Sequence, residues 1–239
     1  MKIWETDSGY EIFRVLSGRS NSYFISAAEQ NILVDAGNEA AYTKLKTGIN
    51  SLYLLNRKIS FLILTHTHFD HCQNAAKLKE EENCKIIISI KGKEDSEQGY
   101  SKLPKGILPA TKPITFLGNL IGKKRFGYKS FDADIFVKDE FDFINYNLKI
   151  MLMKTAGHSP DSISVIVDDE VAIVGDAMFG IFRNSILPPF ADNPLELIDS
   201  WKKLLDTGCN IFLPGHGREI KRELLKKEYD KYKERFKKK

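Results

Sequence analysis

Thr65-His66-Thr67-His68-Phe69-Asp70-His71 places three imidazoles and a carboxylate within seven residues. The run follows Ile59–Leu64, an apolar stretch of strand length, and precedes a segment with helical spacing from about His71 to Glu82. A chain leaving a strand is still extended, so alternate residues face the same way and His66 and His68 share a side. Asp70 and His71 come where the chain turns into the helix, where backbone direction changes and a second position can be served. Imidazole nitrogen with carboxylate oxygen is a donor set for Zn, Fe or Mn.

The chain has five histidines, and the other two also sit beside small-residue turns. His158 lies in Ala156-Gly157-His158-Ser159 after the strand-like Leu148–Lys154. His216 lies in Pro214-Gly215-His216-Gly217 after Asn210–Leu213, and Asp176 follows Val171–Gly175. Each has an ordinary alternative when taken alone. His158 and His216 suit glycine turns, Asp176 suits a turn, and Asp70 with Gln73 suits a helix N-cap with a capping box. Together these alternatives must explain five of five histidines by coincidence. A metal site supported by several strand ends explains them at once.

Outward from this motif, Tyr10–Leu16 and Ser22–Ser26 alternate apolar and polar residues, and Asn31–Asp35 is a short apolar run. Glu39–Leu55 has helical spacing, with Leu45, Ile49, Leu52 and Leu55 on one stripe. Further strands are expected at Lys85–Ser89, Leu148–Lys154, Ser162–Val167 and Val171–Gly175, with a helix at Pro194–Leu205. Residues 91–128, rich in Gly, Pro and Lys, read as an irregular loop or insertion over the core. The pattern predicts one layered α/β domain over residues 1–239, its two β-rich halves separated near that insertion, closed by a basic helix at about 218–239.

Composition narrows the class. The 42% apolar share supports a real core, and the 28% of charged residues is ordinary for a soluble protein. No run approaches a membrane span, and the N-terminal residues lack the apolar core of a secretory signal. Cys72, Cys84 and Cys209 are odd in number and scattered, which points to reduced thiols and a cytoplasmic location. The net charge of +4 reads as local, because residues 218–239 alone carry +6. A solvated helix face accounts for that charge. With the charge explained as a solvated face and no run long enough to span a membrane, neither nucleic acid nor a membrane is an expected partner; a small-molecule substrate is.

With these residues in place, the chain resembles the metallo-β-lactamase superfamily. The run from Thr65 to His71 is similar to its HxHxDH signature. Asn31–Gly37 resembles its early strand-end Asp motif, Ala156–Ser162 its third-histidine loop, Gly175-Asp176-Ala177 its bridging-aspartate motif and Pro214–Gly217 its last-histidine motif. The set has a glyoxalase-II-like or lactonase-like style and spans roughly Tyr10 to Gly217. The resemblance implies an αββα sandwich of two mixed sheets flanked by helices. It implies two divalent metal ions, zinc foremost with iron or manganese as alternatives. His66, His68 and His158 would hold the first, Asp70, His71 and His216 the second, and Asp176 both. Asp35 would orient a ligand or the loop. A water shared by two cations about 3.5–4 Å apart has its pKa lowered toward neutrality, and Asp70 is the implied catalytic residue that orients it and moves its proton.

The implied activity is hydrolysis of a small ester-like bond: a thioester, ester or lactone. Exported zinc β-lactamases commonly carry Cys where Asp176 stands. Lactonases of this style carry Tyr where Phe179 stands, and glyoxalase II adds a larger helical region than the single helix expected after His216. The rival readings are a phosphodiesterase or nuclease of the same superfamily and an iron-dependent redox member. Residues 91–128 and the loop from Phe179 to Phe190 are the expected pocket walls, with Arg183 available to an anion.

Overall fold

The computed structural model describes residues 2–27, 30–53, 58–107 and 109–237. Leu55 and the Lys238–Lys239 end, both used in reading the sequence, lie outside them. The first sheet runs β1 (Lys2–Glu5), β2 (Glu11–Leu16), β3 (Ser22–Ser26), β4 (Asn31–Val34), β5 (Ile59–Ile63), β6 (Lys85–Ser89) and β7 (Ile135–Val137), in that spatial order. The β1–β4 neighbours are antiparallel; β4 to β7 are parallel. Parallel neighbours need crossovers, and helices supply them. These are α1 (Tyr42–Tyr53), then α2 (Phe69–Cys72) with α3 (Ala75–Glu82), then α4 (Lys93–Gln98) with α5 (Lys112–Phe126).

The second sheet contains β8 (Glu140–Asp142), β9 (Ile150–Lys154), β10 (Ile163–Val167), β11 (Val171–Gly180), β12 (Ile211–Gly217) and β13 (Ile220–Lys221), ordered from β8 at one edge to β13 at the other. Only β11 and β12 are parallel, and α6 (Pro194–Asp206) lies in the crossover between them. The last helix is α7 (Arg222–Lys237).

Strand periodicity produces the layers. In β4 and β5, Ile32, Val34, Phe61 and Ile63 enter the core between the sheets, whereas Leu33 and Leu62 face outward under Leu45, Ile49 and Leu78 of the helices. The second sheet divides likewise. Val165, Val171 and Ile173 point inward, and Ile166, Ala172 and Val174 pack under Leu197, Trp201 and Leu225. The result is helix, sheet, sheet, helix, as the resemblance implied.

Several expectations change. Residues 91–128 carry the helices α4 and α5 and are not an irregular loop. Pro113 stands in the first turn of α5, where its missing N–H costs nothing, and the inner face of the helix is Thr115, Gly118 and Gly122, so the glycines that read as breakers are residues that pack. The helix kinks at Gly122, whose backbone is non-helical (φ 38, ψ −129). The two halves divide between β7 and β8, downstream of that segment. The helix expected from His71 to Glu82 is two, because Asn74 turns in to donate to the carbonyls of Ala36 (2.9 Å) and Asn38 (2.8 Å). The capping box is absent: His68 occupies the N-cap position of α2, and the Gln73 side chain points away, its Oε1 accepting from Glu39 N at 3.0 Å.

Candidate metal centre

All seven residues singled out in the sequence converge at one edge of the sandwich. Past β5 the chain stays extended to His68 (φ −66, ψ 144), so His66 and His68 turn to the same side with ring centroids 4.5 Å apart. Thr67, between them, is held by Asp161, which accepts from both its N–H and its hydroxyl at 2.8 Å. The single turn of α2 then presents Asp70 and His71. His158 comes from the turn after β9, where Gly157 (φ +132) lies so close to α6 that a Cβ there would meet Leu197 N at 2.3 Å. Asp176 occupies a register shift in β11, a bulge that re-aims its side chain, and Trp201 donates to the next carbonyl, Ala177 O, at 2.6 Å. His216, on β12, pairs with Phe179 of β11.

The ligand atoms form three groups, each within 4.8 Å: His66, His68 and His158; Asp70, His71 and His216; and, between these, His66, His71 and Asp176. Asp176 faces both outer sets. Its carboxylate oxygens lie 3.6 Å from His158 Nε2, 3.2 Å from His216 Nε2 and 3.4 Å from His71 Nε2. His68 Nδ1 faces His158 Nε2 at 3.0 Å, and His71 Nε2 faces His216 Nε2 at 3.3 Å. Asp70 is partly buried, with Oδ2 3.7 Å from His216 Nε2; the other six are buried.

Hydrogen bonds on the outer side of the rings set which nitrogen is bare. The carboxylate of Asp35 and the carbonyl of Phe190 can only accept, so His71 Nδ1 donates to the first (2.8 Å) and His158 Nδ1 to the second (2.9 Å). The Thr65 hydroxyl donates to Asp35, so His66 Nδ1 donates to Thr65 Oγ1 (3.1 Å) and His66 Nε2 is left with its lone pair. That Nε2 and Asp176 Oδ1 are buried without a hydrogen-bond partner among the described residues. Two orphaned acceptors aimed at one point, amid facing imidazole nitrogens, fit cations between them.

The electrostatics divide the rings into two kinds. Burial pushes the imidazoles of His66 and His68 down, and His158 to about 4, which leaves them neutral. Burial acts the same way on His71, but Asp176 and Asp35 outweigh it and hold that ring well above its usual value; Asp176 similarly raises His216. The Asp176 carboxyl stays well below the usual range, because His216, His71 and His158 overcome its desolvation. Cys72 is no part of this donor set: its buried Sγ donates to Thr67 O at 3.1 Å, and burial keeps it a thiol.

Asp35 behaves as the resemblance implied, reaching His71 and the Thr65 N–H (2.8 Å). Other supports are absent from the sequence reading. Asn21 Nδ2 and Tyr23 OH donate to Pro214 O at 2.9 and 2.8 Å and so clamp the His216 loop. Asn21 also precedes a strand, so a polar residue at a strand start was the available signal. Thr65 and Asp161 gave none, since their roles exist only in tertiary contact. At Gly215 a Cβ would come within 2.4 Å of Asp176 Oδ1, so only glycine lets β12 approach.

A cavity of about 350 Å³ opens over the ligands. Leu103, Pro104, Ile114 and Phe126 wall it on one side and Phe179 and Phe190 on the other, so both expected segments contribute. Arg183 does not line it. The cation at its rim is Arg19, 3.8 Å from Asp70 Oδ2 and stacked on Phe69 at 4.8 Å.

Comparisons with known proteins agree with this architecture. A metallo-hydrolase relative, described as probable, from Methanocaldococcus jannaschii is 29% identical over 83% of this chain and 87% of its own. The atrochrysone carboxyl ACP thioesterase of Aspergillus fumigatus is 23% identical over 87% of this chain and 56% of that longer protein. A protein solved in a di-iron-bound form shares the fold, with a TM-score of 0.63 at 19% identity over 89% of this chain and 96% of the other. The family model for the metallo-beta-lactamase superfamily matches residues 17–216, from the clamp on the His216 loop to His216 itself, and the chain belongs to that superfamily.

Proposed function

We propose that the chain is a dinuclear metal-dependent hydrolase that cleaves a small ester-like bond with an apolar acyl part: a thioester, ester or lactone. The observation that carries this reading is the pair of three-residue sets facing Asp176 under an apolar cavity. His66, His68 and His158 would hold one divalent cation and Asp70, His71 and His216 the other, with the Asp176 carboxylate available between the two sets; zinc, iron and manganese all suit these donors. When bound, the cations supply a water of lowered pKa and charge stabilisation for a developing oxyanion.

The chain's own residues do the rest. Asp70 borders the cavity, so its carboxylate orients the attacking water, accepts its proton and returns it to the leaving group. Phe126, Phe179 and Phe190 hold the acyl part and exclude bulk water. Arg19 meets an anionic portion of the substrate at the rim. Phe179 offers no hydroxyl, so proton transfer falls to Asp70. The thioesterase named above, a relative over most of this chain, supports an acyl substrate. Cys72, Cys84 and Cys209 are unpaired, which suits a reducing cytoplasm.

A panel of thioester, ester, lactone, phosphodiester, aryl sulfate and β-lactam, run on protein of measured metal content, tests this. Acyl substrates should turn over and His68→Ala should lose both metal and activity with the fold retained. A clear preference for the phosphodiester would overturn it.

A further inference from the structure

Helix α5 is turned inside out. Its inner face is Thr115, Gly118 and Gly122 with Asn119 beside them, while Ile114, Phe116, Leu117, Leu120 and Ile121 face solvent, with Phe116 66% and Leu120 68% exposed. Polar side chains fasten it: Thr115 Oγ1 donates to Pro104 O at 2.9 Å, and Asn119 accepts from Leu103 N at 2.9 Å. Gly118 lets the helix close on Leu103, whose Cδ1 would lie 2.4 Å from a Cβ there. The apolar face therefore contributes nothing to the fold, and a contiguous apolar face of this kind marks an interaction site.

Charge points to the occupant. Residues 98–131 contain seven Lys or Arg and no Asp or Glu, a local charge of +7 in a chain of net +4. The basic character is thus not confined to the C-terminal helix, as composition first suggested. Lys112 stands at the start of α5 and Lys123, Lys124 and Arg125 at its end, and among the described residues none of the four is in an ion pair. A second copy docked through this face would set these cations against their equivalents, which disfavours a symmetric dimer. No helix among the described residues is long and apolar enough to cross a membrane, so α5 would lie on a surface rather than span it.

We propose that α5 docks this protein on an anionic lipid bilayer, its apolar face in the headgroup–acyl boundary and its cations on lipid phosphates and carboxylates. This proposal departs from the expectation of no membrane partner, which rested on the absence of a candidate span. Ile114 and Phe126 also line the cavity, so docking sets its mouth at the bilayer surface.

Vesicle co-sedimentation of the full chain tests the proposal without any turnover, so its outcome is separate from that of the hydrolytic reading. The vesicles are phosphatidylcholine alone or mixed with phosphatidylserine, at low and high salt. The protein should bind the mixed vesicles, bind neutral ones far more weakly, and release with salt. Leu117→Glu with Leu120→Glu, both exposed and outside the cavity, should weaken binding at least about tenfold with an unchanged circular dichroism spectrum. Lys124→Gln, which should cost about fivefold, is the milder check. Equal sedimentation with and without phosphatidylserine would overturn the proposal. So would a concentration-dependent dimer that the Leu117→Glu, Leu120→Glu variant turns into a monomer.

Discussion

Asp35 adopts left-handed backbone (φ 63) just after β4, and from there its carboxylate reaches two loops at once. It accepts from Thr65 N at 2.8 Å and from His71 Nδ1 at 2.8 Å, tying the start of the histidine run to its last member. An asparagine keeps the volume and tolerates the backbone. Its amide nitrogen, however, must face either the Thr65 N–H or the His71 N–H, and two donors then meet. Asp35→Asn should therefore retain the fold and lower metal affinity about 10–100-fold, measured by competition with a chelator. Unchanged affinity would show that His71 is oriented by something else.

Among the elements, α4 couples the 91–128 segment to the centre. Its Asp95 accepts from Thr67 Oγ1 at 3.3 Å, beside Asp161 on the same threonine. Burial, and then the Asp161 charge, raise the Asp95 carboxyl from 3.8 to about 6. The folded chain thus keeps a proton that the unfolded chain has released across that interval. The stability Asp95 contributes is whole below the lower value and is lost as pH rises through the upper one. Asp95→Asn should match the wild type near pH 4 and exceed it by about 1 kcal/mol at pH 8, the group being only partly buried and so screened. A stability difference that does not change with pH, in denaturant titrations, would contradict this. That α4 exists was not legible in the sequence, because Lys93–Gln98 carries no apolar stripe. Helix α5 was hidden for the opposite reason, since its stripe faces out and its glycines face in. The strands β2 to β6 were legible to within a residue or so, β2 and β3 by their alternation and β4 to β6 as short apolar runs, because those three bury both faces. Strands β7, β8 and β13, of three residues or fewer, are too short to show a period.

At the scale of the whole molecule, two sheets hold four chain segments rigidly at one edge, and the loops after β5 and β9, the bulge of β11 and the end of β12 meet there. The donor set was legible because the five histidines are few and, with Asp70 and Asp176, sit in motifs. The clamps by Thr65, Asp161, Asn21 and Tyr23 were not, because a common polar residue acquires its role only from a distant partner. The same geometry makes a stoichiometric demand, since two separated donor sets facing one carboxylate are arranged for two cations. Elemental analysis of the purified protein measures this directly. About two transition-metal ions per chain are expected. One or fewer per chain, after growth and purification with the metals supplied, would contradict the dinuclear site.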